Sequence, residues 1–98
     1  MPPTAAKLIN AVNHPLRRRI LFAFVDGSVH CASAEELADA LEQRVGRVDY
    51  HLKALAGSDL LRPARGGDPR EGEARYGWVL GVEAEWLRLL LEVSEATG

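Results

Sequence analysis

The sequence of 98 residues has little of several features, and each shortage excludes a class of protein. It contains one cysteine, Cys31, which by itself forms no internal disulfide and no multi-thiolate metal site. Its longest apolar run is Ile20 to Val25, whereas a membrane span needs roughly 20 residues. Its N-terminus lacks the charged and then apolar pattern of a signal peptide. We therefore predict a cytoplasmic protein that makes no membrane contact.

Recognisable catalytic motifs are also lacking. No Ser or Cys has a His or an acid at a spacing typical of nucleophilic catalysis, and no glycine-rich phosphate loop precedes a helix. No pair of carboxylates is tied to an obvious cleft. The sequence therefore predicts neither an enzyme nor a bound cofactor. Its composition, 47% hydrophobic and 27% charged, predicts instead one folded domain spanning residues 1–98.

The chain has little net charge, −2, but its positive and negative residues are segregated along the sequence. Residues 1–30 and 43–65 are each basic overall, whereas residues 31–42 and 79–98 are acidic. DNA binding requires Lys and Arg side chains that face phosphates. The two basic segments are therefore candidate nucleic-acid contacts that the overall charge conceals.

Four helices are predicted before residue 57. Pro15 suits the first turn of a helix, because the N–H that it lacks would be unpaired there in any case. His14, directly before it, is predicted to be a turn or cap residue. Ser33 and Glu36 have the Ser-x-x-Glu spacing of a capping box, in which each side chain accepts a backbone N–H at a helix start. The predicted helices are Thr4–Val12, Pro15–Val25, Ala34–Leu41 and Val45–Ala56.

After residue 60 the pattern changes to strands and turns. Arg62–Arg65 contains a proline, which an edge strand tolerates because no ladder donor is needed there. Glycine and proline then predict a turn, and Ala74–Leu80 is predicted to be the returning strand. The last segment, Val82–Thr97, is predicted to be a helix whose apolar stripe is wider than one small core requires. The stripe consists of Trp86, Leu87, Leu89, Leu90, Leu91 and Val93.

Two helices separated by about three residues form a helix-turn-helix, whose second helix can enter the major groove of DNA. Here that unit spans residues 34–56, and the hairpin of residues 61–80 follows it as a wing. We therefore predict a mainly α (α+β) fold, a winged helix-turn-helix with one β-hairpin. On a helical wheel, one side of the second helix consists of Val45, Val48, Leu52 and Leu55. The opposite side consists of Gly46, Arg47, Tyr50, Lys53 and Ala54. Asp49 and His51 lie on the two flanks.

Three stretches carry a family resemblance: NHPLRRRIL from Asn13, EELADAL from Glu35 and VDYHLKAL from Val48. Residues 13–80 resemble the ArsR/SmtB family of winged helix-turn-helix repressors, with VDYHLKAL at the position of the recognition helix. The resemblance implies a homodimer that binds a near-palindromic operator and releases it on sensing a signal. It also implies that residues 1–12 and 82–98 are dimerisation helices. The expected interface residues are Leu8, Trp86, Leu87, Leu90 and Val93.

The resemblance further implies how double-stranded DNA is bound. Arg47, Tyr50 and Lys53 are expected to approach bases and phosphates. The residues expected to position the duplex are Arg44, His51, Arg62, Arg65 and Arg75. For His51, packing against the wing or the preceding helix is an equally good interpretation. For residues 17–19, all arginine, a contact to the DNA backbone and a solvated helix face both stay open.

The sequence departs from the family pattern at the turn and on the recognition helix. The family usually has Gly and then a capping Ser where this chain has Glu42 and Arg44. A capping hydroxyl contributes about 1 kcal/mol, so this helix start is less well specified. Asp49 is unfavourable near phosphates unless it accepts from a cytosine amino group or pairs with Lys53, four residues on. These departures support an alternative, a winged-helix protein-interaction module such as an antirepressor or assembly factor that no longer contacts DNA.

The sequence does not match the metal sites of the family. Thiolate-type sensors have the pattern E-L-C-x-C in the helix before the turn, and the matching positions here are Ala38 and Ala40. The other family site uses Asp and His on the last helix, and this helix has glutamates but no histidine. We predict no transition-metal sensing at either site. A small-molecule effector, a protein effector, a thiol modification of Cys31 and control by abundance all stay open.

Overall fold

The computed structural model describes the backbone of residues 5–66 and 75–97, and the side chains of residues 6–64 and 77–96. Within that part of the chain, five helices and a two-stranded antiparallel sheet follow the predicted order. Their bounds are α1 (Ala5–Val12), α2 (Pro15–Val25), α3 (Ala34–Leu41), α4 (Val45–Gly57), β1 (Leu61–Gly66), β2 (Arg75–Leu80) and α5 (Ala84–Thr97). The predicted fold class, a mainly α winged helix-turn-helix, is confirmed. Most of the predicted turn in the wing, residues 67–74, lies outside the described residues.

The helix starts follow the predicted capping chemistry. At the start of α2, Nδ1 of His14 accepts the N–H of Leu16 at 3.1 Å. At the start of α3, Oγ of Ser33 accepts the N–H of Glu36 at 3.1 Å, and Oε1 of Glu36 accepts the N–H of Ser33 at 3.5 Å. Both local predictions are confirmed, because each depends only on residues a few positions apart.

The base of the hairpin is attached to the loop between α2 and α3. The N–H of Ala32 donates to the carbonyl oxygen of Trp78 at 3.1 Å, and the N–H of Trp78 donates to that of Ala32 at 2.8 Å. Gly77 permits this approach, because a Cβ there would lie 2.8 Å from Sγ of Cys31. The side chain of Trp78 packs against the core. The wing therefore leaves the body of the domain from a fixed position.

The hydrophobic core draws on every helix and on the base of the hairpin. Its buried residues are Ala11, Val12, Leu16, Ile20, Leu21, Phe24, Val25, Ala32, Leu37, Ala38, Val48, Leu52, Leu55, Leu60, Leu61, Leu87 and Leu91. The helix α5 begins at Ala84, two residues later than predicted. The prediction that Leu87 belongs to a subunit interface is wrong, because its side chain has no exposed surface within a single chain.

The turn between α3 and α4 begins with a left-handed residue. Glu42 has φ of 55° and ψ of 46°, a region that strongly favours glycine. Its N–H donates to the carbonyl oxygen of Asp39 at 3.3 Å, and the N–H of Gln43 donates to that of Ala38 at 2.9 Å. This pair of bonds is the Schellman arrangement that commonly ends a helix. Glu42 therefore adopts a backbone conformation that glycine would adopt more easily, and this strains the backbone of the turn.

A pair of histidines joins α4 to the start of α2. The ring centroids of His14 and His51 lie 4.3 Å apart, and His51 is only 6% exposed. Nε of Arg17 donates to Nδ1 of His51 at 3.0 Å, so that Nδ1 carries no proton and the ring is in its neutral Nε2–H form. Nη1 of Arg17 also donates to the carbonyl oxygen of Ala11 at 3.4 Å. The cluster therefore connects α1, α2 and α4.

The surroundings favour the neutral form of both rings. Burial lowers the pKa of His51 below its ordinary value of 6.5. Further lowering, in decreasing order, comes from His14, Arg17 and Arg47. Burial likewise lowers the pKa of His14, and the charges of Arg17, Arg47 and Arg18 add to that effect. Protonation would also remove the Nδ1 acceptor that each ring uses.

Replacing Glu42 with glycine is expected to stabilise the domain by about 0.5–1 kcal/mol, because glycine adopts the left-handed conformation without a Cβ penalty. The free energy of unfolding is measured by urea denaturation of the variant and the wild type. The matched control is Glu92→Gly on exposed helical backbone, which is expected to destabilise by about 0.5–1 kcal/mol. Destabilisation by Glu42→Gly comparable to that of the control would contradict the strained turn.

The stability of the domain is expected to fall as the pH drops below about 6.5. The two histidines have lowered pKa values in the folded state, so the unfolded chain binds protons more readily and the free energy of unfolding decreases until the folded pKa values are passed. Urea denaturation at pH 7.5 and 5.5 measures the change. The double variant His14→Gln/His51→Gln should show a smaller loss, while His30→Gln, at an exposed loop position, should behave as the wild type does.

Candidate nucleic-acid interface

One face of α4 presents a row of polar side chains to solvent. Arg44, Arg47, Tyr50 and Lys53 follow one another at intervals of three residues, and all four are exposed. Tyr50 is 65% exposed, although it is a large aromatic residue. Four of the side chains that the sequence assigns to DNA contact are therefore exposed along α4, each turned by about 60° from the one before it.

The opposite face of α4 is anchored in the core. Val48, Leu52 and Leu55 are fully buried, as the helical wheel predicts. Val45, which the wheel places on the same side, is 43% exposed in the first turn of the helix. His51 lies on this inner side, where its ring contacts His14 and accepts from Arg17. The prediction that His51 positions the duplex is therefore wrong, and the alternative of packing within the fold describes it. Its flank position on the wheel does not distinguish the two, because the outcome depends on residues of α2.

Asp49 and Lys53 form an ion pair on the exposed side of α4. The distance from Nζ of Lys53 to Oδ2 of Asp49 is 2.8 Å, and the side chains are 69% and 39% exposed. An exposed pair at this spacing adds only about 0.3–0.5 kcal/mol to stability. Its effect on the interface is larger, because the lysine partly neutralises the only carboxylate that α4 carries. Of the two alternatives for Asp49, the pairing with Lys53 is present in the structure.

The start of α4 has no side-chain cap, as the departure from the family pattern predicts. Arg44 occupies the N-cap position with φ of −71° and ψ of 137°, and its side chain makes no capping hydrogen bond. Its carbonyl oxygen accepts the N–H groups of Arg47 and Val48, both at 3.1 Å. The guanidinium of Arg44 is thus exposed at the end of the helix nearest the turn.

Arg62 is the one cation of the hairpin whose side chain the structure describes. Arg62 is exposed on β1, which follows α4 after a turn at residues 58–60. Arg65 and Arg75 belong to paired strands, opposite Tyr76 and Gly66 respectively. The side chains of Arg65 and Arg75 lie outside the described part of the structure.

The three consecutive arginines of α2 have separate partners. Arg17 serves the histidine cluster, and Nη1 of Arg18 donates to Oγ of Ser94 on α5 at 3.4 Å. Nη2 of Arg19 donates to the carbonyl oxygen of Leu41 at 3.3 Å, and this residue is exposed. Arg17 and Arg18 therefore stabilise the fold, whereas Arg19 is the one of the three that faces solvent.

A second exposed surface lies on the terminal helices. Trp86 and Val93 of α5, both assigned to the subunit interface, are 43% and 60% exposed. Leu8 and Leu90 are half-buried and pack against the core. Leu89 and Ile9, which are not among the predicted interface residues, are 62% and 53% exposed. Leu89 belongs to the wide apolar stripe that the sequence predicts on α5, whereas no sequence pattern indicates that Ile9 is exposed.

At the family's thiolate positions, Ala38 is buried and Ala40 is exposed on α3. Nowhere in residues 5–66 and 75–97 do three or more His, Cys, Asp or Glu side chains lie close enough to hold a metal ion. Helices long and apolar enough to cross a membrane are absent from the same residues.

A family model described as a helix-turn-helix domain matches residues 13–64. The NMR structure of the cadmium metal-sensor CMTR from Mycobacterium tuberculosis is similar, with a TM-score of 0.67 and 29% sequence identity over 90% of this chain and 84% of that chain. A possible transcriptional regulator from Methanosarcina mazei Go1 shares the fold, with a TM-score of 0.60 and 14% identity over 94% of this chain and 76% of that chain. No curated protein matches the chain significantly.

The family match covers more than half of the chain, from the cap of α2 to the hairpin. It includes the whole helix-turn-helix and the exposed face of α4. The chain therefore belongs to the ArsR-type helix-turn-helix family, and it is a DNA-binding transcriptional regulator with a winged helix-turn-helix fold rather than an enzyme.

Proposed function

We propose that the chain is a homodimeric repressor that binds a near-palindromic operator, with α4 in the major groove and the hairpin beside it as a wing. The observation that carries this proposal is the exposed row of Arg44, Arg47, Tyr50 and Lys53 on α4, a helix that Val48, Leu52 and Leu55 anchor in the core. A helix anchored in this way matches the docking of recognition helices, which present side chains near their N-terminus to base edges.

The chemistry of the row suits both bases and phosphates. An arginine such as Arg47 can donate two hydrogen bonds to O6 and N7 of a guanine, and Tyr50 offers a hydroxyl that donates and accepts. Arg44 at the start of α4 and Arg62 on β1 are exposed cations, which suits contacts to the flanking phosphates. Asp49 is paired with Lys53, so it presents less free negative charge to the duplex than the sequence suggests.

The terminal helices support a dimer of two identical chains. Four large apolar side chains are exposed on these helices: Trp86, Leu89 and Val93 of α5 and Ile9 of α1. A second copy of the same surface would bury them. A twofold axis between the subunits would present two α4 helices to two half-sites, which matches a near-palindromic operator. A dimer on the operator would repress by excluding polymerase sterically.

The first test is fluorescence anisotropy of the protein with its own promoter DNA and with an unrelated duplex of equal length, at several salt concentrations. Binding is expected to be selective for the promoter. The logarithm of the affinity should fall linearly with the logarithm of the salt concentration, because Lys and Arg side chains release counterions from the DNA phosphates. The variant Arg47→Ala should lose about 1–3 kcal/mol of promoter affinity.

The matched control is Arg88→Ala, which removes the same charge from α5 and should leave promoter affinity unchanged. Wild-type binding that is absent, or that ignores sequence and is unaffected by Arg47→Ala, would overturn the repressor and support a protein-interaction module. A protein partner would also show a shallow salt dependence unless its interface is highly charged.

The second test concerns self-association. Leu89→Glu is expected to weaken the dimer by about 2 kcal/mol or more, because it places two charges in an apolar interface. Sedimentation equilibrium of the variant and the wild type measures the dissociation constant. Val45→Glu, the same kind of change at an exposed apolar residue of α4, should leave the dimer intact. Equal self-association of Leu89→Glu and the wild type would exclude this surface as the interface.

A further inference from the structure

An open cleft lies between the start of α2 and the turn that precedes α4. Its volume is about 320 Å³, and it is lined by His14, Pro15, Leu16, Arg19, Gln43 and Arg47. Of these residues only Arg47 belongs to the row on α4. The cleft therefore adjoins that row, but most of its lining comes from the start of α2 and from the turn before α4.

The electrostatics of the cleft favour an anion. Two guanidinium groups line it, from Arg19 and Arg47, and none of the lining residues that the structure describes carries a carboxylate. Within the described residues, neither guanidinium forms an ion pair. Gln43 adds an amide that can donate, and His14 is neutral, since its Nδ1 accepts from the backbone of α2. The cleft therefore offers several donors and two uncompensated positive charges.

One of the two guanidinium groups is already held in place. Nη2 of Arg19 donates to the carbonyl oxygen of Leu41, the last residue of α3, at 3.3 Å. A guanidinium has five N–H donors, so this bond fixes the group while leaving most donors for a ligand. Its planar fork can bind two oxygens of a phosphate through parallel hydrogen bonds.

We propose that this cleft binds one phosphate group between Arg19 and Arg47. The phosphate belongs either to the DNA backbone beside the groove that α4 enters, which rests on the proposed function, or to a free phosphorylated small molecule. The two sources share the same chemistry at the cleft. They differ in whether Arg19 matters for DNA binding when no free phosphate compound is present.

The first arm of the experiment tests the cleft without DNA. Inorganic phosphate is titrated into the full chain and followed by NMR at the arginine side chains and histidine rings. Saturable shifts are expected at Arg19 and His14, and bound phosphate should raise the pKa of His14, because the anion offsets the guanidinium charges around it. Arg19→Gln should abolish these shifts, whereas Arg19→Lys should retain weaker ones, which separates loss of charge from loss of structure.

The second arm measures anisotropy with the promoter and with the unrelated duplex. If the phosphate is that of DNA, Arg19→Gln should weaken binding to both duplexes by a similar factor, about tenfold, and lower the salt slope by about one. If it is that of a free ligand, Arg19→Gln should leave DNA affinity unchanged and abolish phosphate binding. Arg18→Gln, whose guanidinium donates to Ser94 instead, should change neither.

The inference is overturned if the wild-type protein shows no saturable phosphate shifts and Arg19→Gln has no effect on DNA affinity beyond that of Arg18→Gln. This result is distinguishable from failure of the proposed function. A wild-type protein that binds no DNA would contradict the proposed repressor function. Its phosphate titration would still show whether the cleft binds phosphate.

Discussion

The burial of one face of α4 is the constraint on which the rest of the structure depends. Val48, Leu52 and Leu55 have no exposed surface, and returning each to water would cost roughly 1.5–3 kcal/mol. The helix therefore cannot rotate about its axis without losing much of the stability of a small domain. The bond from Arg17 to His51 fixes the same helix from the side of α2. The outward direction of Arg47, Tyr50 and Lys53 is a consequence of these inward contacts.

Much of this arrangement follows from short-range sequence signals. The period of 3.6 residues separates the buried and exposed faces of α4, and the Ser33–Glu36 box starts α3 at the predicted residue. The Asp49–Lys53 pair is likewise a neighbour effect along one helix. In each case the residues that decide the outcome lie within about two turns of one helix, so the fold need not be known.

The parts that the sequence does not predict depend on contacts between distant segments. His51 packs inward because its ring contacts His14 and accepts a hydrogen bond from Arg17, both more than thirty positions away. The apolar stripe of α5 is wide enough to contain both core residues and exposed residues. The packing of α5 against α2 determines that Leu87 is buried and Leu89 is exposed. The cleft beside α4 exists only because the start of α2 meets the turn after α3. No single-element pattern encodes that meeting.

The ion pair between Lys53 and Asp49 has a consequence for the thermodynamics of binding. Lys53 carries its counterion with it, covalently tethered one helical turn away. When such a lysine approaches a phosphate, it exchanges one anionic partner for another. The tethered carboxylate remains close and still attracts mobile cations to the complex. A count of cations on α4 therefore overstates the net number of ions that DNA binding sets free in solution.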